Sequence, residues 1–261
     1  MRFENYARPQ SFEEALKILK EESSSRIIGG TTFLRLNKKP VQVAIDLKDL
    51  DIDFIRETEN EIQIGAYTSL RELEINPIIK ENFGEHFAKA LKNIVGVQFR
   101  NVATIGGSVY GRYGFSDVIS ALAVLDCQVE LVEHGMMDFH QFILEGKYKD
   151  IIKQIILKKN NPKTSYQMLR KSDADFPTHT CAASKVGDKV EIAVGSRPKA
   201  AHHALKAEEF LQGKELNSEN IEAAADLVKE ELDFGNDIRS SQAYKEQVVK
   251  VLVRRALEEV K

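Results

Sequence analysis

The chain has 261 residues, 43% hydrophobic and 30% charged, a globular composition that excludes both a disordered and a membrane-embedded chain. Thirty-seven Lys and Arg against 40 Asp and Glu leave a net charge of −3, without the basic face that nucleic-acid binding by counterion release needs. Two cysteines, Cys127 and Cys181, are too few for a four-thiolate cluster or a disulfide framework. Redox chemistry on this chain therefore calls for an organic cofactor or a partner's metal. The longest apolar run, Val118 to Leu125, falls far short of the roughly 20 residues that span a bilayer, so no membrane insertion is expected. The opening Met1-Arg2-Phe3-Glu4-Asn5 has no apolar signal core, and a cytoplasmic chain is expected.

Ser11-Phe12-Glu13-Glu14 precedes Ala15, Leu16, Ile18 and Leu19, a capping box opening an amphipathic helix. Arg26 to Ile28 reads as a short strand running into Gly29-Gly30-Thr31-Thr32. Val41 to Leu47 and Glu61 to Ala66 alternate apolar and polar residues, the pattern of half-buried strands. Thr68 and Ser69 open a second capped helix, and Phe87, Leu91, Ile94 and Val95 return to helical spacing. A glycine-rich stretch from Gly96 to Gly114 follows, then an apolar helix from Ser116 to Leu125 and strands near 128–132 and 151–157. The polar run from Lys158 to Thr164 carries Pro162, lacks periodicity and reads as a linker between two domains.

Beyond it, Tyr166–Leu169, Thr180–Val186 and Lys189–Val194 predict a small antiparallel sheet with a tight turn at Gly187-Asp188. Three helices close the chain, at about 200–211, 218–232 and 241–260. In the last, Tyr244, Val248, Leu252, Ala256 and Val260 form one apolar stripe, and Lys250, Arg254 and Arg255 form a solvated face. No solenoid-type repeat is present.

Seven of the fifteen glycines cluster in two places: Gly29 and Gly30, and Gly96, Gly106, Gly107, Gly111 and Gly114. Glycine is entropically costly, so such clustering suggests backbone at positive φ or in close approach to a ligand. Gly29-Gly30-Thr31-Thr32 and Thr104-Ile105-Gly106-Gly107-Ser108 each set a glycine pair among hydroxyls, as in an anion-binding nest of backbone N–H groups. Two nests without a P-loop lysine suit a diphosphate held without Mg²⁺, hence a dinucleotide rather than ATP. Each pair is also compatible with an ordinary tight turn. Neither fits G-x-G-x-x-G or the Walker pattern.

Ser116-Asp117 before an apolar run is an N-cap, though Asp117 is also placed to reach a ligand. Cys127, His134 and His140 match no common zinc spacing, and His202-His203 on a helix would diverge in direction. No nucleophilic triad is defensible from these residues, and no catalytic side chain is expected.

Several of these segments together resemble the FAD-binding subunit of the molybdenum hydroxylases, the group that includes xanthine dehydrogenase and carbon monoxide dehydrogenase. Ile28-Gly29-Gly30-Thr31-Thr32-Phe33-Leu34 resembles the first flavin loop, A-G-G-T-D-L-L. Val97 to Ser108, V-Q-F-R-N-V-A-T-I-G-G-S, resembles the second, x-Q-x-R-N-x-A-T-I-G-G-N. Ser116-Asp117 falls where the family has a flavin-contacting Ser-Asp pair, and Ile64 to Leu70 matches a third segment. Gly195-Ser196-Arg197-Pro198, Ala207-Glu208, and Ser240, Tyr244, Arg255 and Ala256 match the C-terminal part, so the resemblance spans essentially the whole chain.

The resemblance implies an α+β fold: a two-subdomain FAD-binding domain of the vanillyl-alcohol-oxidase (PCMH) type over 1–160, with subdomains at about 1–55 and 56–160. A small domain with an antiparallel sheet and a helix bundle would follow over 165–261. It implies an electron-transfer flavoprotein that receives electrons from a small [2Fe-2S] subunit, reduced by a large molybdopterin-binding subunit, and passes them through FAD to NAD or another acceptor. The implied cofactor contacts are Ile27, Ile28, Gly29, Gly30, Thr31, Thr32, Phe33, Thr104, Ile105, Gly106, Gly107 and Ser108. Asp117 would fasten the nucleotide end, with Ile94 and Ile152 as apolar walls. Thr32 replaces the usual acidic residue, Ser108 the usual Asn, and Gln167 a lysine that many members carry beside the flavin. The main alternative is a self-sufficient flavoenzyme of the vanillyl-alcohol-oxidase type with its own substrate pocket.

Overall fold

The computed structural model describes residues 2–36, 38–146 and 148–261. The chain packs as two compact units that each draw on separated stretches: Met1–Leu73, Val97–Gly111 and Cys127–Lys158 form the first, Glu74–Gly96, Arg112–Asp126 and Lys159–Lys261 the second.

The first unit holds two sheets. In the three-stranded parallel sheet, Val41–Ile45 lies between Phe3–Ala7 and Arg26–Ile27. The helix Phe12–Glu21 links its two outer strands and buries Ala15 and Leu19 one turn apart. Ser11 caps it, its Oγ accepting from the Glu14 N–H at 3.2 Å. The return bond of the capping box lands one residue earlier than expected: the Glu14 carboxylate accepts from the N–H of Gln10 at 2.8 Å. Val41–Ile45 is not half-buried as its alternation suggested, since Val43, Ala44 and Ile45 are all buried. A central parallel strand is covered on both faces, and that overrides the period of two.

The five-stranded antiparallel sheet runs in the order Ile55–Glu57, Glu61–Gly65, Ile152–Lys158, Cys127–Leu131, Gly135–Asp138. Here alternation holds: Ile62 and Ile64, then Cys127, Val129 and Leu131, point into the core. The glycine-rich stretch is not one extended loop. It forms two short helices, Val97–Val102 and Ile105–Gly111.

In the second unit, a four-stranded antiparallel sheet runs in the order His202–His203, Lys189–Gly195, His179–Val186, Lys163–Leu169. Its hairpin turns at Gly187, with φ +59°. Helices Leu205–Leu211, Ser218–Glu231 and Gln242–Val260 bury Leu211, Ile221, Val228, Leu252, Val253 and Leu257 with Ile192 and Val194 of the sheet in one core. His202 and His203 belong to the strand, paired with Val194 and Ala193, and not to the following helix. The buried face of the last helix comprises Val249, Leu252, Val253, Ala256, Leu257 and Val260, whereas Tyr244 is half exposed. A spacing of four overshoots a 3.6-residue turn by about 40° per step, so the expected stripe winds off the core toward its N-terminal end. Lys250 and Arg254 pair with Glu222 and Asp226 of the neighbouring helix.

Three histidines of this unit are buried; His203 meets the Glu208 carboxylate at 2.7 Å, while His86 Nε2 donates to Ala121 O at 2.9 Å and His179 Nε2 donates to Lys245 O at 3.0 Å. Burial lowers His86 and His179 from 6.5 to about 4, holding them neutral. Between those values the unfolded chain binds protons that the folded chain refuses, so stability falls as pH drops from about 6.5 toward 4. The loss is on the order of 3 kcal/mol per histidine. We expect urea midpoints measured from pH 7.5 to 4.5 to fall steeply, and His86→Gln to flatten that fall.

Candidate functional site

Two glycine-bearing segments, more than 70 residues apart in sequence, meet within the first unit. Strand Arg26–Ile27 extends by one further bond, Ile28 N–H to Ile45 O at 2.9 Å, and the chain then turns. Gly30 has φ +64° and Thr31 φ +53°, with the Thr31 N–H donating to Gly29 O at 2.7 Å. A β-branched residue in the left-handed region is strained, and such strain persists only where the surroundings impose it. Gly30 is obligatory for a second reason: a Cβ there would sit 1.9 Å from Val102 O. Among the described residues, the N–H groups of Gly29, Gly30 and Thr32 donate to no protein acceptor.

The second segment is built differently. Thr104 caps the helix Ile105–Gly111, its Oγ1 accepting from the Gly107 N–H at 3.2 Å. Ile105 N–H donates to Thr68 O at 3.0 Å, Gly106 N–H to Ala66 O at 2.9 Å, and Ser108 N–H to Thr104 O at 3.1 Å. Every N–H from Ile105 to Ser108 thus has a partner inside the protein. The pair of equivalent nests read from the sequence becomes one loop with open donors and one helix start that backs it. Gly106 is buried and serves packing, since its Cβ would meet Ala66 O at 2.6 Å. Gly107 is exposed, and Gly29 abuts Thr104, whose Oγ1 would lie 3.0 Å from a Cβ on either glycine.

Tyr67 is a member of this cluster that sequence reasoning did not single out. Its hydroxyl donates to Ile28 O at 2.7 Å and accepts from the Leu47 N–H at 2.9 Å. Its ring would touch a side chain at residue 29 at 3.4 Å. The only signal in the sequence was its place in the segment Ile64 to Leu70.

The remaining expected contacts are spread over both units. Ile27, Ile28 and Phe33 flank the first loop and are half-buried, and Ile152 is buried in the five-stranded sheet of the same unit. Ile94, Asp117 and Gln167 belong to the second unit. Ser116 caps Asp117–Ala123, accepting from the Ile119 N–H at 3.2 Å, as the sequence predicted. The Asp117 carboxylate accepts from Tyr166 Oη at 2.8 Å and from Arg170 Nη2 at 2.6 Å. Burial raises its pKa above the usual carboxyl value, while Arg170 and Tyr166 pull it back. The Gln167 amide donates to Ser165 Oγ at 3.2 Å. Both cysteines are buried, and burial pushes the Cys181 thiol up to about 12, far from a reactive thiolate. Of the weak metal constellation, His134 instead meets the buried Asp150 at 2.7 Å. Asp150 also takes the N–H groups of Glu133, His134 and Ile151, the work of a turn staple.

Residues 1–159 match the family described as the FAD binding domain in molybdopterin dehydrogenase. The chain belongs to that family. Residues 164–260 match the CO dehydrogenase flavoprotein C-terminal domain. The glyceraldehyde dehydrogenase medium chain of Sulfolobus acidocaldarius is 26% identical, over 98% of either chain. The nicotinate dehydrogenase FAD-subunit of Eubacterium barkeri is 29% identical over 95% of this chain and 92% of that one. A solved structure of carbon monoxide dehydrogenase from Hydrogenophaga pseudoflava, at 26% identity, superposes with a TM-score of 0.91 over 100% of this chain and 97% of that one. This FAD-binding subunit of the molybdenum hydroxylase type is thus an oxidoreductase component with the α+β architecture expected of it. The open N–H groups beside a glycine that tolerates no side chain fit the diphosphate of FAD. Among the described residues no helix is long and apolar enough to cross a membrane.

Gly30→Ala should remove FAD retention and cost about 2 kcal/mol or more, because any Cβ strikes the Val102 carbonyl and the positive φ resists it. Gly135→Ala, at φ +67° with open space around it, isolates the conformational part alone. Absorbance of bound flavin and thermal melts of the two variants check the difference.

Proposed function

We propose that this FAD-binding subunit carries electrons from the [2Fe-2S] clusters of a small partner subunit, reduced by a large molybdopterin-binding subunit, to NAD or another acceptor. The observation that carries the reading is its end-to-end likeness to medium chains of such enzymes, combined with two cysteines that are both buried. With no cluster of its own, the chain depends on partners for its electrons. FAD, when bound, supplies the exchange between one-electron clusters and a two-electron acceptor.

The chain's own residues bind and orient. In this reading the backbone N–H groups of Gly29, Gly30 and Thr32 hold the diphosphate, with Thr31, Thr104, Gly107 and Ser108 beside it. Ile105 and Gly106 hold the second segment against residues 66–68 and so keep the first loop in shape. Ile27, Ile28, Phe33 and Ile152 supply apolar surface in the first unit; in the second, Ile94 and Asp117, whose carboxylate is fixed by Arg170 and Tyr166, are the residues the resemblance assigns to the cofactor. Residues 1–160 act as the FAD-binding domain and 165–261 as the C-terminal domain. The chain works in the cytoplasm, without nucleic acid. Because the first loop binds through backbone, replacement of the usual acidic residue by Thr32 leaves FAD binding intact.

Purification of the tagged chain from its host should bring down a molybdenum protein and an iron–sulfur protein, with iron, molybdenum and flavin in the visible spectrum and metal analysis. A yellow chain that turns over a small organic substrate alone would overturn this reading. Gln167→Lys should raise the flavin midpoint potential, since an added cation favours the more negative reduced form. An unchanged potential in spectroelectrochemical titration removes Gln167 from the flavin's surroundings.

A further inference from the structure

The segment Ala66–Ser69 touches both glycine-bearing segments at once. Ala66 O and Thr68 O accept the Gly106 and Ile105 N–H groups, and Ser69 bridges to Thr104. Leu70 N–H adds a bond to Ala103 O at 2.8 Å. Tyr67, in the middle of this segment, is the side chain that reaches the other way. Its phenol holds two backbone groups from different places: the Ile28 carbonyl, which opens the Gly29–Thr32 loop, and the Leu47 N–H, just beyond the central parallel strand.

We infer that Tyr67 is a positioning residue for the cofactor loop, fixing the Ile28–Gly29 peptide and so aiming the open N–H groups of Gly29, Gly30 and Thr32. The inference rests on the reading that these groups hold the FAD diphosphate. A peptide plane turns as a unit, because its C–N bond has partial double-bond character. Holding the Ile28 carbonyl therefore also holds the Gly29 N–H on the same plane. Glycine at 29 and 30 leaves that peptide otherwise free to rotate, so the sequence needs an external clamp where it has removed side chains. The half-buried phenol meets this need with both functions of one hydroxyl, donating on one side and accepting on the other. Burial raises its pKa, so it keeps its proton and can donate throughout the neutral range.

The test is FAD binding by the full chain stripped of flavin, followed by flavin fluorescence quenching, for wild type, Tyr67→Phe and Tyr6→Phe. Tyr6 provides the control for loss of a phenol hydroxyl in the same unit: its hydroxyl donates to the Asp46 carboxylate at 2.7 Å rather than to the Ile28 carbonyl. Tyr67→Phe should weaken FAD binding roughly tenfold, as loss of a doubly used, half-buried hydroxyl implies, while Tyr6→Phe binds as wild type does. Equal affinity in Tyr67→Phe and wild type overturns the inference.

Hydrogen exchange on the wild-type chain gives a second reading that needs no variant and decides the matter if Tyr67→Phe fails to fold. FAD should slow exchange not only at 29–32 but also at the Leu47 amide, which the clamp links to the loop. Slowed exchange at 29–32 with Leu47 unchanged overturns the clamp alone. A wild-type chain that takes up no FAD overturns the functional reading and this inference with it.

Discussion

The carbonyl oxygen of Val102 lies where any side chain at residue 30 would have to be. That contact requires glycine at 30 and sets the distance between two segments that the sequence keeps far apart. Other features of the site follow from it. Thr31 is forced into a left-handed conformation at a cost of about 1–3 kcal/mol, met by the hydrogen bonds that tie both segments to residues 66–70. The two segments are consequently unequal. One is a loop with donors left open, and the other is a helix start whose donors are already used. A loop of this kind is preorganised, because the backbone that carries its open donors is held by contacts made elsewhere on the same segments.

The second unit meets a different constraint, a charged pair in its interior. Asp117 and Arg170 are both nearly excluded from solvent and lie 2.6 Å apart, with the Tyr166 hydroxyl as a third partner. Taking two charges out of water offsets much of their attraction, so such a pair fixes geometry more than it adds stability. It joins the first turn of the helix Asp117–Ala123 to strand Lys163–Leu169 and its following loop, and so determines which way the Asp117 carboxylate can point. Both cysteines are buried free thiols, so neither offers a thiolate at the surface.

How much of this was legible in the sequence depends on how local the cause was. Caps at Ser11, Ser69 and Ser116 could be read directly, since the cap and the amide it receives are three residues apart. Strand alternation at Glu61–Gly65 was legible because that sheet covers each strand on one side, and it misled at Val41–Ile45, where both faces are covered. The strands Phe3–Ala7, Ile55–Glu57 and Gly135–Asp138 were missed; they lie at sheet edges and carry mixed, largely exposed residues without periodicity. Both glycine pairs were found by composition. Their different roles were not, because whether an N–H is open depends on carbonyls at Ala66 and Thr68 some 40 residues away. Tyr67 escaped for the same reason: a phenol that holds two distant backbone groups leaves no mark on its neighbours in sequence.

The chain passes between its two units five times, at residues 73/74, 96/97, 111/112, 126/127 and 158/159. The family's two sequence blocks, ending and beginning near residue 160, are therefore not the two packed bodies. On the ribosome, residues 74–96 and 112–126 emerge well before the sheet they pack with, and their apolar side chains must wait for residues 159–261. A gene rearrangement cutting near residue 160 would strand those segments without their core. The order of the blocks along the chain is for that reason tied to the interleaving of the fold.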